Sequence, residues 1–139
     1  KRIHVGFEAL DDRILNYFKK KETVKEIEDF CREMNKYNIN ILAYLIIGSP
    51  LEKKEYLKEL PIKIKNLGIS IPFFNILFPE PDTEYYNSLI KEKYYQKDYW
   101  KEQIKNSVPY FELPYPYEKT KKQEIIDYAN DLANQFKRN

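Results

Sequence analysis

Three apolar runs in this chain each end in a polar turn and pass directly into a helix-type pattern. The first is Ile3-His4-Val5-Gly6-Phe7, closed by Glu8. The second covers residues 39–47 and closes in Gly48-Ser49-Pro50-Leu51-Glu52. The third covers residues 69–78 and closes in Pro79-Glu80-Pro81-Asp82-Thr83-Glu84. Such alternation requires a parallel sheet, because parallel neighbours need a crossover long enough to hold a helix. The second run is almost wholly apolar at its end, as a strand buried on both faces must be. Ligands of parallel α/β sheets gather at the carboxyl ends of the strands. The layout predicts an α/β fold: part of a TIM-type barrel, three parallel strands alternating with helices, with one shared site along one rim.

The intervening segments carry helix signals. Asp11-Asp12 offers an N-cap for a helix bearing Ile14, Leu15 and Phe18, and Lys19-Lys20-Lys21 suits its C-terminal dipole. Thr23 and Glu26 form a capping box, opening a helix with Val24, Ile27, Phe30, Cys31 and Met34 on one face. That helix should stop near Tyr37-Asn38. The next, over about 53–66, buries Tyr56, Leu57, Leu60 and Ile64; Pro61 should kink or divide it, and Gly68 should end it. Pro72 is expected near the start of the third strand. Thr83 starts a helix with Tyr86, Leu89 and Ile90 inward. Residues 93–117 read as an irregular aromatic arm with Pro109, Pro114 and Pro116. Thr120 and Gln123 suggest a second capping box, before a helix burying Ile125, Ile126, Ala129, Leu132, Ala133 and Phe136. The expected domains are 1–92, the barrel piece, and 93–139, a C-terminal extension of arm and helix.

Composition narrows the function classes. A net charge of +2 gives no electrostatic reason to expect nucleic acid as partner. No apolar run is long enough to span a bilayer, and Lys1-Arg2 does not open a signal peptide. One cysteine excludes an internal disulfide and suits a reducing, cytoplasmic setting. Three parallel strands with helices on one face leave the other face bare, so a homo-oligomer is expected of the isolated chain.

The three strand-end motifs, taken together, resemble the second half of the radical S-adenosylmethionine (SAM) superfamily barrel. The nearest likeness is the branch that carries an upstream cobalamin-binding domain, the magnesium-protoporphyrin monomethyl ester cyclase and Fe–S oxidoreductase type. Gly6-Phe7-Glu8-Ala9 stands where that branch has Gly-hydrophobic-Glu-Ser. Gly48-Ser49-Pro50-Leu51-Glu52 stands for Gly-x-Pro-Gly-Glu, and Pro79-Glu80-Pro81-Asp82-Thr83-Glu84-Tyr85-Tyr86 for Pro-x-Pro-Gly-Thr-x-hydrophobic-Tyr. The likeness covers about residues 1–90 in order and spacing. Ala9, Leu51 and Asp82 are its departures.

The resemblance implies a parent enzyme in which a 4Fe–4S cluster cleaves SAM and the resulting radical acts on a small-molecule substrate; cobalamin is a further cofactor of that branch. The cluster loop, Cys-x3-Cys-x2-Cys, is not in this chain, and Cys31 cannot replace it. The resemblance therefore makes this a C-terminal piece with no catalytic residue or metal ligand of its own, inactive alone. By the same likeness Glu8 would hold the SAM ribose, Gly48 and Ser49 would pass under the adenine, and Leu77, Phe78 and Pro79 would cover its other side. Glu52 is read as a cap of the following helix, His4 as structural and Cys31 as core. The competing expectation is a non-catalytic α/β protein-binding module whose tyrosine-rich arm is the interaction surface.

Overall fold

The computed structural model of the protein describes residues 1–94, 105 and 119–136, apart from the side chains of 119–122. The aromatic arm lies largely outside the described residues. Two compact units are formed, Lys1–Leu77 with Ile125–Asn139, and Phe78–Glu124.

The first unit is built on a mixed α/β pattern: β1 (Arg2–Glu8), α1 (Asp12–Tyr17), α2 (Val24–Lys36), β2 (Asn40–Ile47), α3 (Lys54–Asn66) and β3 (Ile71–Ile76). The sheet order is β1-β2-β3 and both pairings are parallel, as the alternation requires. Strand side chains alternate between faces. Ile3, Val5, Phe7, Ile41, Ala43, Leu45, Ile47, Phe74 and Ile76 face the helices and join one core with Ile14, Leu15, Ile27, Cys31, Leu60 and Ile64. None of the residues on the other face, among them His4, Leu42, Tyr44, Ile71 and Phe73, belongs to that core.

Local chemistry sets the helix ends. Asp11 caps α1 by accepting the Arg13 N–H, and the Thr23–Glu26 capping box closes reciprocally on α2. The Asp12 carboxylate also accepts the Val24 N–H at 2.7 Å, tying α1 to the start of α2. At the other ends, α1, α2 and α3 stop in the same six-residue wrap. Lys20 N–H reaches Leu15 O, Ile39 N–H reaches Met34 O and Ile69 N–H reaches Ile64 O. The residue inside each wrap has left-handed φ: Lys19 at 56°, Asn38 at 52° and Gly68 at 64°. This is the Schellman stop, most comfortable with glycine. At Gly68 a β-carbon would also run into the Asn35 amide, which donates to Leu67 O at 2.8 Å.

Pro61 does not divide α3 into two pieces; the helix is one element containing it. A proline removes the N–H that would serve the carbonyl four residues back, here that of Leu57. The Tyr128 hydroxyl, from the last helix α5 (Lys119–Phe136), donates to that Leu57 carbonyl instead. From Ile125 onward α5 belongs to the first unit, and Ala129 and Leu132 are buried in its core. The helix already includes Thr120, so Thr120 is not its N-cap; the side-chain half of that capping box lies outside the described residues. Cys31 is core as expected, and burial pushes its thiol up to about 11.

In the second unit, α4 (Glu84–Lys91) is capped by Thr83, whose hydroxyl accepts the Tyr86 N–H at 3.2 Å and donates to Glu80 O at 2.6 Å. Tyr86 and Leu89 are buried.

Candidate functional site

The parallel order puts the carboxyl ends of all three strands on one edge of the sheet. What each end does follows from its sequence.

At the end of β1 the ladder slips. Gly6 pairs with Tyr44, but Glu8 pairs with Leu45, so Phe7 is the extra residue of a bulge. Glu8 has φ of 63° and the Ala9 N–H donates to Phe7 O at 2.7 Å across it. That bond with positive φ at the central residue is a γ-turn, a tight and strained reversal. The turn sends the Glu8 side chain back over Gly6: a β-carbon at Gly6 would lie 2.5 Å from Glu8 Oε1. The carboxylate can hold this position only while residue 6 has no β-carbon. Gly6 shares its face with His4 and Tyr44, so the carboxylate comes to the face without core residues. Lys20, the last residue of the wrap at the end of α1, donates to Gly6 O at 3.0 Å. Its ammonium lies 3.7 Å from Glu8 Oε1 and 3.3 Å from Glu22 Oε1. Ala9 is fully buried in the core, so a hydroxyl at that position would face the interior rather than the lip.

At the end of β2, Gly48 has φ of 98°, a backbone only glycine takes without strain. Glu52 does not cap α3, contrary to expectation: the N-cap is Lys53, which makes no side-chain capping bond. The Glu52 carboxylate turns back and accepts the Gly48 N–H at 2.9 Å and the Ser49 N–H at 3.1 Å. Ser49 is buried; its Oγ accepts the Leu51 N–H and its carbonyl accepts the Glu52 N–H. Burial raises the Glu52 carboxyl, and the Gly48 and Ser49 N–H bonds oppose that rise. The loop from 48 to 52 is thus closed on itself by one half-buried carboxylate. The Tyr56 hydroxyl accepts the Leu10 N–H at 3.1 Å and joins the segment after β1 to α3.

At the end of β3, the Leu77 N–H donates to Ile47 O at 2.7 Å and extends the pairing by one residue. Phe78 and Pro79 follow in the chain and open the second unit. Within that unit the Glu80 N–H donates to Phe78 O at 3.0 Å, and Asp82 has φ of 62°. Asp82 therefore holds the left-handed conformation that a glycine there would supply freely.

Glu8, Gly48, Ser49 and Leu77 accordingly lie along one strand-end edge of one sheet. Glu8 stands level with Leu45, so about 10 Å of strand rise separates it from Gly48 at ~3.3 Å per residue. Sequence reasoning did not find Lys20, which looked like a helix-end cation, nor the inward turn of Glu52. It also did not find that His4, Tyr44 and Phe73 are cross-strand neighbours. The signal for the last was the even spacing of these residues on their strands, which becomes informative only with the register.

Among the described residues, no three or more His, Cys, Asp or Glu side chains group in a way that could hold a metal ion. Nor is any helix among them long and apolar enough to cross a membrane. Compared with known proteins, the chain matches no protein-family model and no curated protein.

Proposed function

We propose that the chain is the C-terminal half of a radical SAM barrel and that its strand-end edge holds the nucleoside of SAM. The observation that carries this is the Glu8 carboxylate, turned by a strained bulge over Gly6 at the end of β1. An ionised carboxylate only accepts hydrogen bonds, and its two oxygens suit the two hydroxyls of a ribose. The unbroken order β1-β2-β3, with no reversal, supports a barrel segment over a doubly wound sheet. Ribose and base would occupy successive levels, Glu8 at the lower and the Gly48–Ser49 backbone at the upper. Glu52 would hold that backbone fixed. Leu77 would supply apolar cover.

A cluster does not fit this chain. Its one cysteine is buried in the core with a raised pKa, and a cluster needs several thiolates. Cluster and SAM cleavage would belong to the preceding half of the barrel, and cobalamin to a domain beyond it.

An NMR titration of the 15N-labelled chain with adenosine tests the nucleoside assignment. Weak, saturable shifts are expected at Glu8, Ala9, Gly48 and Ser49. They should be much smaller with 2′,3′-dideoxyadenosine and absent in Glu8→Gln. Equal shifts with both nucleosides, or shifts unaffected by Glu8→Gln, would refute the assignment.

A further inference from the structure

The sheet face opposite the core carries a row of rings. Tyr44 and Phe73, paired in the ladder, have centroids 5.0 Å apart and planes 16° apart. His4 and Tyr44 have centroids 6.0 Å apart at 28° and share a hydrogen bond of 3.0 Å between Nδ1 and the hydroxyl. A near-parallel pair at about the strand spacing of ~4.8 Å must stand face to face across the strands. Its ring edges then point away from the sheet. Ring edges carry the positive end of the aromatic quadrupole. Phe73 is 39% exposed and its neighbour Ile71 is 45% exposed.

Charge is polarised along β1 on this same face. Arg2 lies two residues before His4, is exposed, and makes no ion pair among the described residues. Glu8 lies at the opposite end, folded over Gly6. A ligand on the ring edges thus meets a cation at one end and a carboxylate at the other.

We propose that this face binds a small planar aromatic anion. Its ring lies on the edges of His4, Tyr44 and Phe73, and its negative group points to Arg2, away from Glu8. The row spans two strand spacings, about 10 Å, which suits a system of two or three fused rings. The inference stands on the sheet face alone and does not need the nucleoside reading.

2-Naphthoate is the probe, titrated into the full 139-residue chain and followed by 15N shifts. Saturable shifts are expected on residues 2–6, 42–46 and 71–75. Neutral 2-naphthylmethanol and non-planar cyclohexanecarboxylate should each bind at least tenfold more weakly. Phe73→Leu and Arg2→Gln should each weaken naphthoate by a similar factor; both sites are exposed, and unchanged far-UV circular dichroism would confirm the fold. Glu8→Gln removes a repelling carboxylate, so it should tighten naphthoate binding or leave it as tight while abolishing the adenosine response, which separates this inference from the nucleoside assignment. Equal affinity for the neutral probe, or binding indifferent to Phe73→Leu, would overturn it. So would a dimer that occupies this face and excludes the probe, since the occupant would then be a second copy.

Discussion

Gly6, Glu8 and Lys20 show how few atoms define the end of β1. A β-carbon at Gly6 would meet only the far end of a flexible side chain, so the fold can accept it while Glu8 cannot stay where it is. Alanine in a strand is also entropically cheaper than glycine, by about 0.5–1 kcal/mol. Gly6→Ala should therefore leave the denaturation midpoint unchanged or slightly raised, yet remove the adenosine response as completely as Glu8→Gln. A variant that loses stability and keeps the response would show that the Glu8 position is unimportant. Ala9 separates structure from site in the same segment: one residue beyond Glu8, it is wholly core.

Among the elements, α3 and α5 are joined through a defect. Pro61 leaves the Leu57 carbonyl without its helical donor, and the Tyr128 hydroxyl fills the vacancy. The burial of that hydroxyl pushes its pKa up to about 12. Removing the donor from a half-buried carbonyl costs about 1–3 kcal/mol. Tyr128→Phe should cost that much in urea denaturation of the wild-type chain and clearly less in a Pro61→Ala background, where the helix again supplies an N–H. Equal costs in both backgrounds would mean the two residues are uncoupled. Much at this level was legible in the sequence. The capping box at Thr23 and Glu26, the stop at Gly68 and the apolar spacing of α2 are local signals, and each has its effect within a few residues. Pro61 was legible as a missing donor but not as a partner, because its compensating group lies on another helix. Glu52 misled for a related reason: a carboxylate ahead of a helix can turn toward the helix or back toward the strand, and sequence does not say which. Lys20 and the His4–Tyr44–Phe73 row depend on tertiary register, and only the folded sheet brings them together.

For the molecule as a whole, the parallel sheet divides the work. One face and the helices supply the core; the other face supplies rings, Arg2 and Glu8; and the strand ends supply Gly48, Ser49 and Leu77. In a barrel that second face looks into the lumen. The other face is only partly exposed: Phe73 and Ile71 are open to solvent while Leu42 between the strands is buried. The proposed barrel assigns this face to an interior that other strands would close. Top-down mass spectrometry of the native protein isolated from its cells would decide whether that larger structure exists. The expected result is a longer polypeptide with a Cys-x3-Cys-x2-Cys segment ahead of Lys1; a native chain without those cysteines would contradict the radical SAM reading.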